Sequence, residues 1–575
     1  MKTGDRIREA IETLISTNPT FEIKTETIRG VDYRVFKNVP ETLRDLLDVC
    51  RDAQNVHSDD YLVFRNERWS YENFCSEIKS TAWTLQQNFG VGKGTPVALA
   101  MKNYPEMLML IMGIAAAGGV VVFLNAWWTS QELAYALEDS NAKLVFTDSP
   151  RAEKLLPLTE AQGLTLVGVR DAEHILEHSY SRLRAQDTNS DWPVVEIHTD
   201  DDFAVMYSSG TTSYPKGVIQ THRGAISAVF SWLMQGPLAE ILMPPQEIIP
   251  ENRPRHVILI ATPLFHVTAT HPNFLFSLPA GAKICLMDKW DAEDAVRIIE
   301  EERVTRFLGV PTQSADLMVA ARRMNASLKT LEFLTSGGAK RPSAQVNELK
   351  NAFPHTQIAT GWGMTETNAC GIGYFGDDYL NNPNAAGRLY PPLQELMILD
   401  DNGQQVPAGQ VGEITVKSAC NMRGYLNKPQ ATAEVFQNGW LKTGDLGKVD
   451  SDGVITIIDR KKNIVIRGGE NIACMEVEAA LHCHPAVAES CAFSVPHSRL
   501  GEVVGAAVHL RSGMSATPSE LQTFLKDHIA HFKIPEHIWI YGAPLPRGAT
   551  DKLDRRGLRD ICLSLPPQKT KSLGV

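Results

Sequence analysis

From Pro96 to Glu366 the chain repeatedly places a short apolar run before a polar or glycine-bearing turn, with helix-like stretches between the runs. That alternation admits few folds, because neighbouring parallel strands need long crossovers and a helix is the usual one. Pro96-Val97-Ala98-Leu99-Ala100, Val120-Val121-Val122-Phe123 and Lys143-Leu144-Val145-Phe146 read as strands, and a helical pattern runs through Leu133 and Leu137. Five more runs lead to Tyr207, to Pro263-Leu264-Phe265-His266, to Gly309-Val310-Pro311, to Ser336-Gly337-Gly338-Ala339 and to Gly361-Trp362-Gly363-Met364-Thr365-Glu366. The expected fold is α/β, with a large N-terminal domain of mostly parallel sheets flanked by helices. Ligands of such sheets bind beyond the carboxyl ends of the strands, so the five loops are expected to build one site.

A chain of 575 residues exceeds what one core organises. The charged stretch Asp459-Arg460-Lys461-Lys462-Asn463 lies between apolar runs and reads as a linker, dividing residues 1–459 from a smaller, mobile α+β domain over 460–575. Residues 1 to about 60 read as an arm packed on the main domain. With 56 Lys and Arg against 67 Asp and Glu the formal charge is −11, so no general field attracts nucleic acid, and an anionic ligand must be held by local groups. Nine cysteines without a C-x-x-C pair fit a reduced intracellular protein. The N-terminus lacks a secretory pattern, and Ser572-Leu573-Gly574-Val575 is not a peroxisomal address. Met107–Leu124 is uncharged and nearly long enough to span a bilayer, but Ala117-Gly118-Gly119 divides it into a buried helix and a buried strand. A soluble cytoplasmic protein without an integral membrane segment is expected.

Tyr207-Ser208-Ser209-Gly210-Thr211-Thr212-Ser213-Tyr214-Pro215-Lys216-Gly217 sets hydroxyls, glycines and one cation at a strand end. Hydroxyl and backbone N–H donors beside a lysine suit a polyphosphate, although the P-loop spacing is absent. By composition alone the stretch also reads as a serine-rich surface turn. Its order and spacing relative to the other loops decide between the two. Gly90-Val91-Gly92-Lys93-Gly94-Thr95 completes no nucleotide motif and reads as a turn before a strand.

In that order and spacing the chain resembles the adenylate-forming superfamily of acyl-CoA synthetases, peptide-synthetase adenylation domains and beetle luciferases, over almost its whole length. The resemblance implies that Ser208, Ser209, Gly210, Thr211, Thr212 and Lys216 line the ATP triphosphate; Ser213 stands where the family usually has glycine. It implies that Glu366 carries Mg²⁺, a hard cation suited to a carboxylate and phosphates, and that Thr365 contacts the α-phosphate. Trp362, where the family usually has tyrosine, would stack on adenine beside Gly337, Gly338, Ala339 and Gly361. Asp445 would accept from both ribose hydroxyls, assisted by Arg460.

Lys552 matches the catalytic lysine of the C-terminal domain, with Asp551 in place of the usual preceding glycine. A cation touching both an attacking carboxylate and a phosphate stabilises their meeting. Lys462 falls at the family's hinge position, which implies that the small domain turns about it. Gly468, Gly469 and Glu470 match the loop that lines the coenzyme A tunnel, and Phe532 a contact for the CoA nucleotide; Ile534 and Glu536 stand where some aryl-CoA ligases carry extra basic residues. His266 stands where the family places an aromatic or histidine side chain between acyl pocket and thiol tunnel, and equally reads as a hydrogen-bonded structural residue; Phe265, Val267, Thr312 and Gly361 join it as candidate pocket residues. No cation among these pairs with a second carboxylate, which favours a medium-chain or aromatic acid. His482-Cys483-His484 has no metal-ligand spacing.

The implied activity is an ATP-dependent acid:CoA ligase working through an acyl-AMP. Two rivals stand beside it. One is a stand-alone adenylating enzyme that loads a separate carrier protein. The other, prompted by Ser213 and Asp551, is a nucleotide-binding pseudoenzyme with a regulatory role. A homodimer is compatible with the sequence and not specified by it.

Overall fold

The computed structural model describes residues 3–55, 60–184, 191–208, 215–242, 255–468, 470–548 and 552–565. Ser209, Gly210, Thr211, Thr212, Ser213, Gly469 and Asp551 lie outside the described residues.

The alternation produces two large sheets, as expected. In the first, Asp202–Ser208, Val120–Phe123, Pro96–Ala100, Leu144–Thr147 and Thr165–Gly168 lie side by side and parallel. Asp202–Ser208 also pairs antiparallel with Lys216–Thr221, Ser208 opposite Lys216, so the chain returns as a hairpin beside the serine-rich stretch. The second sheet holds β1 (Val257–Ile260), β2 (Lys283–Leu286), β3 (Arg306–Gly309), β4 (Phe333–Ser336) and β5 (Gln357–Trp362), parallel in the order β2-β1-β3-β4-β5, with antiparallel β6 (Ile372–Phe375) beside β5. Four of the five expected loops leave this sheet and one leaves the first.

The helix Pro105–Ala116 is buried at every position except Glu106, whose carboxylate meets Arg170. A helix apolar on all sides must lie inside, and this one packs in the core cluster shared by both sheets. With Val120–Phe123 fully buried beyond the Gly118 turn, the apolar run is helix, turn and strand as expected. The span His222–Leu242 is also long and apolar enough to cross a membrane by length and composition, but more than half of it is buried, mainly in that same core.

The N-terminal arm packs on this body. Helix Thr3–Thr17 meets Gln235–Leu242, and in the hairpin of Ile23–Ile28 with Val31–Phe36 the Tyr33 hydroxyl lies against Gly439. An antiparallel sheet of Gly412–Lys417, Trp440–Val449 and Ile455–Arg460 follows, with Asp445 opposite Arg460. Last comes a small α+β unit. Ile464–Arg467, Glu470–Ala473, Val487–His497, Gly501–Leu510 and His537–Tyr541 form its sheet, and helices Cys474–His482, Pro518–Leu525 and Arg555–Ser564 enclose two apolar clusters of its own. All nine cysteines are unpaired, and only Cys483 is exposed.

Candidate active site

Beyond β5 the chain makes a single tight turn, Thr365–Thr367, then passes through Asn368 and Ala369 with φ of 51° and 60°. Two successive left-handed non-glycine residues are strained and persist only where their surroundings hold them. Asn368 is held from two sides: its Oδ1 lies 2.9 Å from His271 Nε2, and its Nδ2 donates to the Cys420 carbonyl at 2.8 Å. The Thr365 carbonyl accepts from Gln220 Nε2 at 3.0 Å. This framework presents Glu366, a buried carboxylate that accepts a hydrogen bond from the Tyr425 hydroxyl at 2.9 Å. Burial first, and the neighbouring Glu366 charge second, push the Tyr425 hydroxyl far above its ordinary pKa, so it stays a donor. The Lys216 ammonium sits over the Tyr425 ring, 4.8 Å from its centroid. Tyr425 thus joins the phosphate-loop lysine to the candidate metal carboxylate, a role that only folding reveals.

Asp445 is 3 % exposed and is gripped by two donors, Trp362 Nε1 at 2.8 Å and Arg460 Nε at 3.1 Å. Burial raises its pKa, opposed by the Arg460 charge and by both hydrogen bonds. Trp362 was expected to stack on adenine. Its indole edge also orients the carboxylate, because an N–H that reaches a buried anion is worth more than an unpaired one.

The loop after β4 carries Gly338 at φ +78°, and a Cβ there would stand 2.9 Å from Lys552 Cε. Lys552, brought from the C-terminal unit, therefore lies directly on the glycine loop, with exposed Ala339 beside it. Its pKa falls to about 8, through burial and then the Arg460 charge, against the pull of Asp445. Lys552, Arg460 and Asp445 form one electrostatic cluster that joins the C-terminal unit to the strands preceding it.

On the acyl side, His266 opens the turn Val267–Ala269, and its Nδ1 accepts from Thr268 N at 3.2 Å. Burial, aided by the Lys552 charge, lowers its pKa to about 3, so the ring is neutral with its proton on Nε2. Phe265 meets Trp127 edge-on at 5.3 Å, and both line a groove of about 610 Å³ that Trp128, Trp290 and Gly548 also border. Val267, expected as a pocket residue, is buried. It is packed into the central core, and Thr268 is the residue from this turn that faces the glycine loop, its Cγ2 3.7 Å from where a Gly337 Cβ would lie. The Gly361 carbonyl stands 3.6 Å from that same point. Thr312 is half-buried in the first turn of helix Pro311–Arg323, which starts on a proline suited to that place.

The remaining expected residues stay with the C-terminal unit. Lys462 lies in the short turn Lys461–Asn463 after Arg460, its pKa lowered by burial and then by Arg460. That turn hangs on Asp459, fully buried, which accepts from Met475 N and Arg460 N at 2.7 Å and from Asn463 Nδ2 at 3.2 Å. Gly468 turns a hairpin at φ +58° and donates its N–H to Leu500, while Glu470 is exposed on the returning strand. Phe532 packs against the unit's own core. The arrangement thus combines Lys552 with the residues expected to hold the nucleotide and leaves the Gly468 turn hydrogen-bonded within its own sheet.

The model described as AMP-binding enzyme matches residues 50–426, and the one described as AMP-binding enzyme C-terminal domain matches residues 476–552. A 2-succinylbenzoate–CoA ligase of Bacillus licheniformis is 33% identical over 90% of this chain and 99% of its own length. A long-chain-fatty-acid–CoA ligase of Bacillus subtilis is 29% identical over 86% and 90%. Among solved structures, o-succinylbenzoate CoA synthetase from Bacillus subtilis with its acyl-adenylate intermediate superposes with a TM-score of 0.76 at 26% identity, over 91% of this chain and 99% of that one. The chain belongs to the AMP-binding enzyme family, among its AMP-forming acid:CoA ligases.

Proposed function

We propose that the enzyme activates a medium-chain or aromatic carboxylic acid as its acyl-AMP and passes the acyl group to coenzyme A in the cytoplasm. The observation that carries this reading is Lys552 lying on the Gly338 loop beside Asp445 and Arg460. A flexible cation there meets both the entering carboxylate and the α-phosphate. In the first step a carboxylate oxygen attacks the α-phosphorus, the bond to the β-phosphate bridging oxygen breaks, and pyrophosphate leaves. The Lys552 ammonium touches both anions as they merge. The neutral His266, its Nδ1 satisfied by Thr268, offers an Nε2 proton to the carboxylate. Asp445 takes the ribose hydroxyls, and Lys216, Thr365 and the loop of Ser208, Ser209, Gly210, Thr211 and Thr212 take the phosphates.

The carboxylate of Glu366, buried and turned by Tyr425, fits a hard divalent cation. Mg²⁺ held there would neutralise phosphate charge. In the second step the C-terminal domain, divided from the first near Arg460, turns about Lys462 and withdraws Lys552. The hairpin of Gly468, Gly469 and Glu470 takes its place and Phe532 approaches the CoA nucleotide. The thiol then attacks the acyl carbon and AMP leaves. Relatives named for long-chain fatty acids and for 2-succinylbenzoate include one aliphatic and one aromatic acid.

The test is ATP–pyrophosphate exchange across a panel of acids with the protein and with Lys552→Ala, followed by AMP release with CoA or with a phosphopantetheinyl carrier. Acid-dependent exchange lost in the variant, and release driven by CoA, is the expected result. Exchange that survives in Lys552→Ala would overturn the assignment of the lysine, and release driven only by the carrier would replace CoA as acceptor.

A further inference from the structure

Register pairs Phe307 with Leu334 and Gly309 with Ser336. These four lie on the outer face of the second sheet and are buried, while Arg306, Leu308, Phe333 and Thr335 alternate onto the inner one. Helices Pro311–Arg323 and Ser343–Ala352 cover the outer face with apolar side chains. Into the end of this layer, directly after the glycine loop, the sequence puts Arg341, which is 1 % exposed and is the most deeply buried arginine among the described residues. Its guanidinium nitrogens each donate to a different segment of the chain. Nε reaches Ser336 Oγ at the end of β4 at 3.1 Å, Nη1 reaches Gln345 Oε1 at 3.2 Å, and Nη2 reaches the Ala359 carbonyl of β5 at 3.4 Å. Gln345 carries the link on, its Nε2 donating at 3.1 Å to the carbonyl of Pro311, where the chain leaves β3 for its helix. The buried Tyr379 hydroxyl lies beside the guanidinium and beside Thr360, whose Oγ1 donates to the Ser336 carbonyl at 3.5 Å. One side chain is thereby tied to the ends of β3, β4 and β5, the strands whose loops carry Val310, Gly338 and Trp362.

All of these partners are neutral. Among the described residues no carboxylate pairs with Arg341, and burial lowers its pKa to about 10, which still leaves the guanidinium charged at neutral pH. A buried cation without a counter-charge is costly, and an apolar side chain of similar volume would fill the space without that cost. It would lack the flat, rigid fork of donors that fixes several acceptors at once. The glycine loop needs such a hold. Gly337 N donates to the Gly309 carbonyl at 3.0 Å, whereas Gly338, Ala339 and Lys340 are exposed, so the loop is pinned at its ends by Gly337 and Arg341. Between those pins Gly338 meets Lys552.

We propose that Arg341 is a positioning residue for adenylation: its fork of donors sets the glycine loop where Gly338 meets both the nucleotide and Lys552. This rests on the reading above, in which that loop seats the nucleotide, and deepens it. Arg341 touches neither substrate and acts through the loop.

The experiment compares the protein with Arg341→Met, Arg341→Lys and Gln345→Met. It measures pyrophosphate exchange at varied ATP, acid and pH, ATP binding by calorimetry, and thermal melting. The expected result is a KM for ATP raised about 10- to 100-fold in Arg341→Met, the range for a lost hydrogen bond to a charged group, with the KM for the acid changed less. Arg341→Lys keeps the charge without the fork and should recover only part of this. Gln345→Met cuts one arm of the fork at a partly exposed position, so it should shift the KM the same way by less and melt near the protein's own temperature. It therefore decides the matter even where Arg341→Met does not fold. A displaced loop also admits water to Lys552, so the alkaline limb of exchange should move to higher pH in the variants, although Arg460, Asp445 and His266 around that lysine are untouched. A lowered melting temperature with KM and limb unmoved would make Arg341 a packing residue and overturn the proposal, as would full recovery in Arg341→Lys. ATP binding that weakens in the variants, without exchange by any acid, would sink the ligase reading and still support the role of Arg341 in the loop. Neither exchange nor ATP binding in the protein would sink both.

Discussion

Raising the pH should disarm Lys552 well below the range of an ordinary lysine. Its pKa is lowered to about 8 by burial and by Arg460. By simple titration about nine-tenths of it is charged at pH ~7 and about one-tenth at pH ~9, so kcat/KM for adenylation should fall about tenfold across that interval. The assay is pyrophosphate exchange at limiting ATP, from pH ~6.5 to ~10. Lys552→Arg keeps its charge throughout and should lose this alkaline limb, whatever its absolute rate. Arg460→Gln removes a charge that lowers the pKa and should move the limb to higher pH. Asp445→Asn removes one that raises it and should move the limb the other way. The same proton has a stability signature. Between about pH 8 and its ordinary value of 10.5, the unfolded chain holds a proton that the folded chain has released, so the contribution of this group to stability rises with pH. A rate that stays level to pH ~10, or a limb shared with Lys552→Arg, would refute the placement of the lysine at the reacting atoms.

Two further outcomes test the site. Gly338→Ala puts a Cβ at a left-handed position 2.9 Å from Lys552 Cε, so adenylation should fall at least about tenfold while thioester formation from supplied acyl-AMP is largely kept; equal losses in both half-reactions would count against it. Trp362→Phe keeps an aromatic ring and removes the donor to Asp445, which should raise the KM for ATP about 10- to 100-fold with melting temperature little changed; an unaltered KM would show that the indole N–H does not position Asp445 for ATP.

Much of the fold was legible in the chain because its signals are local. Alternating apolar runs and glycine turns specify strands and crossovers one element at a time, and the apolar helix Pro105–Ala116 announced its burial by lacking a polar face. The loop residues were legible for the same reason, each standing at the end of such a run. Long-range pairing was not. Nothing in Gly424-Tyr425-Leu426 shows that its tyrosine will meet Glu366, and nothing near Trp362 shows that its indole will find Asp445, 83 residues on. That Val267 packs into the core while Thr268 faces the glycine loop was also not legible, because adjacent side chains of a short turn point in different directions and the turn's setting depends on how His266 caps it. Arg306 illustrates the division most plainly. Sequence alone determined that it sits on a strand. Sheet register decided which face it occupies, since a shift of one residue would have turned it to the outer side, and that is a property of the assembled sheet.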